Sequence, residues 1–288
     1  MAGFGPGPSV LVSLSVALVT ALMLGAAVAV LVLARRPQFR HLPVWAAQLR
    51  ARSRPLGVLG AVVAFKMLAT GVLTSASWLV GWNVTGLIYD VEADTVLAVQ
   101  AFATPPLTAY FTFVYVYAFT FLLSFPVVAY LTHPDPRPLR ETVVAYSLNY
   151  LLGLAAYVVF IAYGPRNYIP DRVSSLLYVY WPESYLLTSS MNANTNVFPS
   201  LHVSFAVTVA LLAWRTREGI PWWWPVAAVL AASVAASTLY LGIHWITDVV
   251  AGTLLALACV WIAARDPLER LDPVLDRTVD RARAFASR

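Results

Sequence analysis

Seven stretches of this chain, at about 8–34, 57–81, 107–131, 142–163, 199–214, 222–242 and 244–264, approach the roughly 20 apolar residues that an α-helix needs to cross about 30 Å of hydrocarbon. Inside lipid every backbone N–H and C=O must be satisfied within the protein. The expectation is therefore an all-α, polytopic transmembrane bundle of about seven spanning helices. Composition agrees: 60% of the residues are hydrophobic and 11% charged, with a mean hydropathy of +0.71, against roughly 45–50% apolar in ordinary soluble domains. The first run is expected to persist as a helix instead of being cleaved as a signal peptide. Residues 1–13 carry no basic side chain, and the run is much longer than roughly 15 residues before Arg35 and Arg36.

Basic residues set the orientation. Six lie in 35–54, two in 132–141, two in 215–221 and six in 265–288, so that 16 of the 19 Lys and Arg fall on alternate loops. By the positive-inside rule those loops face the cytoplasm. The N-terminus is then outside and the C-terminus inside. The opposite loops hold only Arg166 and Arg172, and Lys66 lies within the second apolar run. In the tail, Leu268, Leu271, Leu275, Val279 and Ala282 recur at helical spacing with arginines between them, as in an interfacial amphipathic helix. The stretch Trp82 to Thr104, with Asp90, Glu92 and Asp94, reads as a surface segment before Pro105 and Pro106. The single cysteine, Cys259, excludes an internal disulfide and a cysteine metal cage. No nucleic-acid motif is present.

Against this apolar background two short stretches carry chemistry: Phe198-Pro199-Ser200-Leu201-His202, and Ser237 to Asp248 with His244 between them. Ionisable groups bordering spanning segments are costly and usually functional. Pro199 suits the first turn of a helix and Ser200 its cap, so His202 is expected near free N–H groups that welcome an anion. From Ser200 to Trp214 is about 21 Å of helix, too short to reach both interfaces, which recesses the site. His244 and Asp248 are four apart and share a helical face, where a carboxylate holds an imidazole in one tautomer and stabilises its cation. That is a nucleophile with its orienting acid. In such a site His244 would attack phosphorus to form a phosphohistidine, and His202 would protonate the leaving oxygen. The same residues would also serve as polar helix caps. Two histidines and a carboxylate could instead ligate a metal, although only Asp171 or Glu183 offers a further ligand.

At these residues the chain resembles the type-2 phosphatidic acid phosphatase superfamily, whose later motifs read Pro-Ser-Gly-His and Ser-Arg-x5-His-x3-Asp. Here they read Pro199-Ser200-Leu201-His202 and Ser237-Thr238-x5-His244-x3-Asp248. The Phe-Pro-Ser-Leu-His variant and the threonine at 238 are more similar to the branch containing fungal inositol phosphorylceramide synthase. The resemblance covers roughly 142–264 and implies a phosphatase-like core in the C-terminal half. It divides the chain into N-terminal helices and an interfacial loop at 1–141, a catalytic core at 142–264 and a cytoplasmic amphipathic tail at 265–288.

The resemblance implies transfer of a phosphate or phosphoalcohol group, without metal or organic cofactor, between a membrane-lipid phosphate and water or an alcohol. A phospholipid or a polyprenyl (di)phosphate at the outer face of the cell membrane would be the substrate. Headgroup transfer to a lipid alcohol is one alternative. A non-enzymatic lipid transporter or scaffold on the same fold is another. His244, Asp248 and His202 would be catalytic, and Ser200 and Ser237 would line the substrate site. The family's first motif, Lys-x6-Arg-Pro, has no counterpart in Gly164 to Pro170, which leaves Arg166, then Arg172, as candidate phosphate clamps. A phosphoryl transition state needs positive charge or N–H donors around its oxygens. Asn192, Asn194 and Asn196 offer further donors. Lys66, mid-span, is expected to face the bundle interior and to be paired or to snorkel.

Overall fold

The computed structural model describes residues 8–33, 49–131, 133–185 and 194–268. Eleven helices and two short strands are named here in chain order. They are α1 Pro8–Leu33, α2 Ser53–Val80, β1 Trp82–Asn83, α3 Thr85–Glu92, α4 Thr95–Gln100 and α5 Pro105–Leu131. After these come α6 Arg137–Val159, β2 Phe160–Ile161, α7 Pro165–Tyr168, α8 Leu176–Tyr180, α9 Leu201–Arg215, α10 Trp223–Tyr240 and α11 Ile246–Ala263. Six of them (α1, α2, α5, α6, α10 and α11) are long and apolar enough to cross a membrane, and the seventh apolar segment forms the 15-residue α9. This is an all-α multi-pass membrane bundle.

Its surface fits that environment. Met67, Leu68 and Leu79 of α2 are 72%, 83% and 85% exposed, an arrangement that water penalises and lipid does not. The core forms where α5, α9 and α10 meet, around Phe121, Leu122, Phe125, Val209 and Trp223.

The arginine-bearing helix ends gather at one end of the bundle. Buried Glu141 takes Arg137 and Arg215, each through a 2.8 Å Nε contact, Arg140 pairs with Asp266, and Arg52 donates to the carbonyls of Tyr130 and His133. The opposite end holds both histidine stretches. Gly153 lies against Leu201, while α6 runs on through six more residues to Val159, about 9 Å, so the start of α9 is recessed below the neighbouring helix. Above it the parallel pair β1–β2 forms the rim, with Trp82 opposite Phe160.

The stretch from Trp82 to Thr104 lies at the surface, with Trp82, Val91 and Phe102 exposed, but it is not a simple surface strip. It folds into β1, α3 and α4, and Val84, Ile88 and Val96 are buried in a small cluster with Trp245. Of the proposed tail helix, residues 269–288 lie outside the described residues.

Candidate functional site

The two histidine stretches meet because α9 and α11 start side by side. The Ser200 N–H donates to the Asp248 carbonyl at 3.1 Å, and the Ser200 hydroxyl caps α9 by accepting from Val203 N–H at 3.4 Å. This approach requires Gly252, where a Cβ would stand 2.4 Å from the Ser200 carbonyl oxygen. The link between α10 and α11 is equally constrained. Gly242 adopts φ +68°, a left-handed conformation that glycine tolerates best, and the Thr238 carbonyl accepts from both Ile243 N–H and His244 N–H. His244 is thereby fixed at the turn.

His244 is 4% exposed and Asp248 is fully buried. Asp248 Oδ2 lies 3.2 Å from His244 Nδ1 and accepts from the Trp245 N–H at 2.8 Å. With Nδ1 given to the carboxylate, the lone pair of Nε2 is the free one. Asp248 Oδ1 is buried without a hydrogen-bond partner among the described residues. His202 presents its ring between two aromatics of α5: Tyr115 stacks at 4.5 Å and 21°, and Phe119 sits at 4.5 Å and 38°. Tyr115 belongs to a π-helical turn, Val114–Ala118, the kind of insertion that redirects side chains at functional sites.

Both histidines line a cavity of about 680 Å³. Arg166 lines it too, its Nη2 donating to Tyr178 Oη at 3.0 Å and its guanidinium lying 4.5 Å over the Tyr178 ring. Its Nη1 is buried without a partner among the described residues, a donor held ready beside the cavity. Such an arrangement suits an anion flanked by a nucleophilic nitrogen, a second imidazole and a guanidinium.

The other candidates lie elsewhere. Arg172 is outside the cavity lining, paired with Asp94 at 2.8 Å on the surface, where the carboxylate raises its pKa. Ser237 is buried in α10 with its hydroxyl donated to the Val234 carbonyl. Ser200 works on the helix start and on Asp248. Asn194 and Asn196 line the cavity, while Asn192 lies outside the described residues. Among the described residues no three His, Cys, Asp or Glu side chains come together as a metal-binding group.

Lys66 faces the interior as its mid-span charge leads one to expect, though without a paired acid among the described residues, and Glu92 takes a place that its sequence context did not give it. Lys66 lines the cavity with both histidines. Glu92 of α3 is buried and receives the first N–H groups of α11, Ile246 to Oε2 at 2.7 Å and Thr247 to Oε1 at 2.5 Å. Its position seven residues after Thr85 is no capping signature, since the helix that it caps lies 154 residues further on. The cavity wall also draws on Tyr115 and Phe119, which stand N-terminal to the expected core at 142–264.

No curated protein and no solved structure matches this chain. A family model does match, that of the PAP2 superfamily, over residues 87–262. The match takes in α5, the Arg166 loop, both histidines and Asp248. The chain belongs to the PAP2 superfamily.

Proposed function

We propose that the protein is a membrane-lipid phosphatase or phosphotransferase working through a phosphohistidine at His244. Membership of the PAP2 superfamily supports a phosphatase-type lipid enzyme. The observation that carries the mechanism is the Asp248 Oδ2 contact with His244 Nδ1, which leaves Nε2 as the nucleophile. In the first step Nε2 forms a bond to phosphorus as the ester P–O bond breaks, and His202 gives its proton to the leaving oxygen. In the second, His202 takes a proton from water or an alcohol, whose oxygen attacks phosphorus and releases His244. Asp248 stabilises the positive charge on the imidazole throughout, and its unengaged Oδ1 adds to that field. Arg166 meets the charge on the phosphoryl oxygens.

The substrate would be a phospholipid or polyprenyl phosphate, approached from the extracytoplasmic side, a reading of the histidine end that the distribution of arginines supports. Similarity of residues 198–202 to the inositol phosphorylceramide synthase branch supports testing an alcohol acceptor beside water. The test uses the full chain in nanodiscs, presented with phosphatidate, a polyprenyl phosphate and a polyprenyl diphosphate, with and without a lipid alcohol. Phosphate release or transfer that disappears in His244→Ala is the expected result. Turnover unchanged in His244→Ala would overturn the mechanism.

A further inference from the structure

Lys66 is the single lysine of the chain; the other eighteen basic residues of the Lys and Arg count are arginines. It is the fourteenth residue of the 28-residue α2, with about 20 Å of helix on either side. That places it far from either interface, where an unaccompanied charge is expensive. Its neighbours Phe65, Met67 and Leu68 are 52%, 72% and 83% exposed, toward lipid. Lys66 is half-buried and lines the cavity instead, as does Thr70 one turn on, whose hydroxyl donates to the Lys66 carbonyl.

Among the described residues Nζ makes no hydrogen bond or ion pair, and no carboxylate lines the cavity. Lys66 and His202 are within electrostatic reach of each other. The cavity thus holds an ammonium from the membrane-embedded α2, a guanidinium from the α7 turn and two imidazoles, and among the described residues the one carboxylate in contact with any of these groups is Asp248, behind His244. Arg166 is held by Tyr178, whereas Lys66 carries a compact charge on a four-carbon stem, suited to following a group that moves.

We infer that Lys66 is a phosphate-binding residue, which draws the lipid-linked phosphate into the cavity from the α2 side and holds its oxygens across from Arg166. This rests on the lipid-phosphate reading above and adds a cation to it from outside the two motifs that this chain carries.

The test uses the chemistry of a lone lysine. Pyridoxal phosphate, an aldehyde bearing a phosphate, condenses with an amine to an imine with loss of water, and borohydride reduces the imine to a stable secondary amine located by mass spectrometry. In the wild-type chain Lys66 should be labelled, at least tenfold faster than by pyridoxal lacking the phosphate, and millimolar inorganic phosphate should slow it at least fivefold. His244→Ala should be labelled equally. Calorimetry with inorganic phosphate gives a second reading: Lys66→Met should bind at least tenfold more weakly, and Lys66→Arg within threefold of wild type. In turnover of phosphatidate vesicles the Met variant should raise KM more than it lowers kcat. Equal labelling by both aldehydes without phosphate protection, or wild-type phosphate affinity in Lys66→Met, would overturn the inference. Failure of every lipid phosphate as a substrate would sink the enzymatic reading and leave the labelling result standing.

Discussion

Glu92 holds the start of α11 from across the fold: its two carboxylate oxygens accept from the backbone N–H groups of Ile246 and Thr247 at 2.7 and 2.5 Å. A carboxylate at a helix N-terminus meets both orphan donors and the positive end of the helix dipole. The turn so fixed is the one that carries Asp248. Glu92→Ala should therefore lower kcat about tenfold with KM little changed, because hydrogen bonds to charged groups contribute about 1.5–3 kcal/mol and their loss loosens the aim of His244. Glu92→Gln, keeping one acceptor oxygen, should recover part of the rate. Steady-state kinetics of the two variants beside their melting temperatures checks this; loss of melting temperature with kcat intact would mean that Glu92 serves stability alone.

The sequence ranks Arg166 ahead of Arg172 as the phosphate clamp, and their surroundings separate them in the same order. Arg166 has a buried, unpartnered Nη1 at the cavity, whereas Arg172 is tied to Asp94. Removing one preorganised donor from a transition state costs about 3 kcal/mol, roughly a hundredfold in rate. Arg166→Ala should show that loss, Arg166→Lys should regain only part of it for want of the fork, and Arg172→Ala should stay near wild type. A large defect in Arg172→Ala with none in Arg166→Ala would reverse the assignment.

Gly252 lets α11 close on the capped start of α9. A methyl there would meet the Ser200 carbonyl oxygen at 2.4 Å, and overpacking of this kind costs about 1–3 kcal/mol. Gly252→Ala should lower the melting temperature and turnover together. Unchanged values for both would show that the helices separate without cost.

The orientation of the bundle is open to labelling. Ser174 and Ser53 are both exposed, at the histidine end and the arginine end respectively, and Cys259 is buried. In a Cys259→Ser background, Ser174→Cys should react with an impermeant maleimide on intact cells and Ser53→Cys should not. The reverse pattern would put the site in the cytoplasm.

The spans were legible because twenty apolar residues have few alternatives in lipid, and the short α9 followed from counting residues between Ser200 and Trp214. The His244–Asp248 pair was legible from the spacing of four, but the shared helical face was not its cause: His244 lies in the turn before α11, and Asp248 reaches back to it across Trp245 at the helix start. The role of Glu92 was not legible, and of Lys66 only the inward facing was, because the rest arises from packing between segments far apart in sequence: α3 against α11, and α2 against α6. Local pattern reports the period of one helix and says nothing of which turn faces a cavity built by others. Ser237 shows the opposite case. Its motif position suggested substrate, yet its hydroxyl is spent on the Val234 carbonyl one turn back in α10.

The central claim is the covalent role of His244, and trapping the intermediate tests it most directly. The full chain should be mixed with a lipid phosphate that it turns over, labelled at phosphorus, and quenched within one turnover at alkaline pH, where a phosphohistidine survives. Peptide mass spectrometry should then find the phosphoryl group on His244 in the wild type and none in His244→Ala. Turnover with no label on His244 at any time point, or label on a different side chain, would contradict the account.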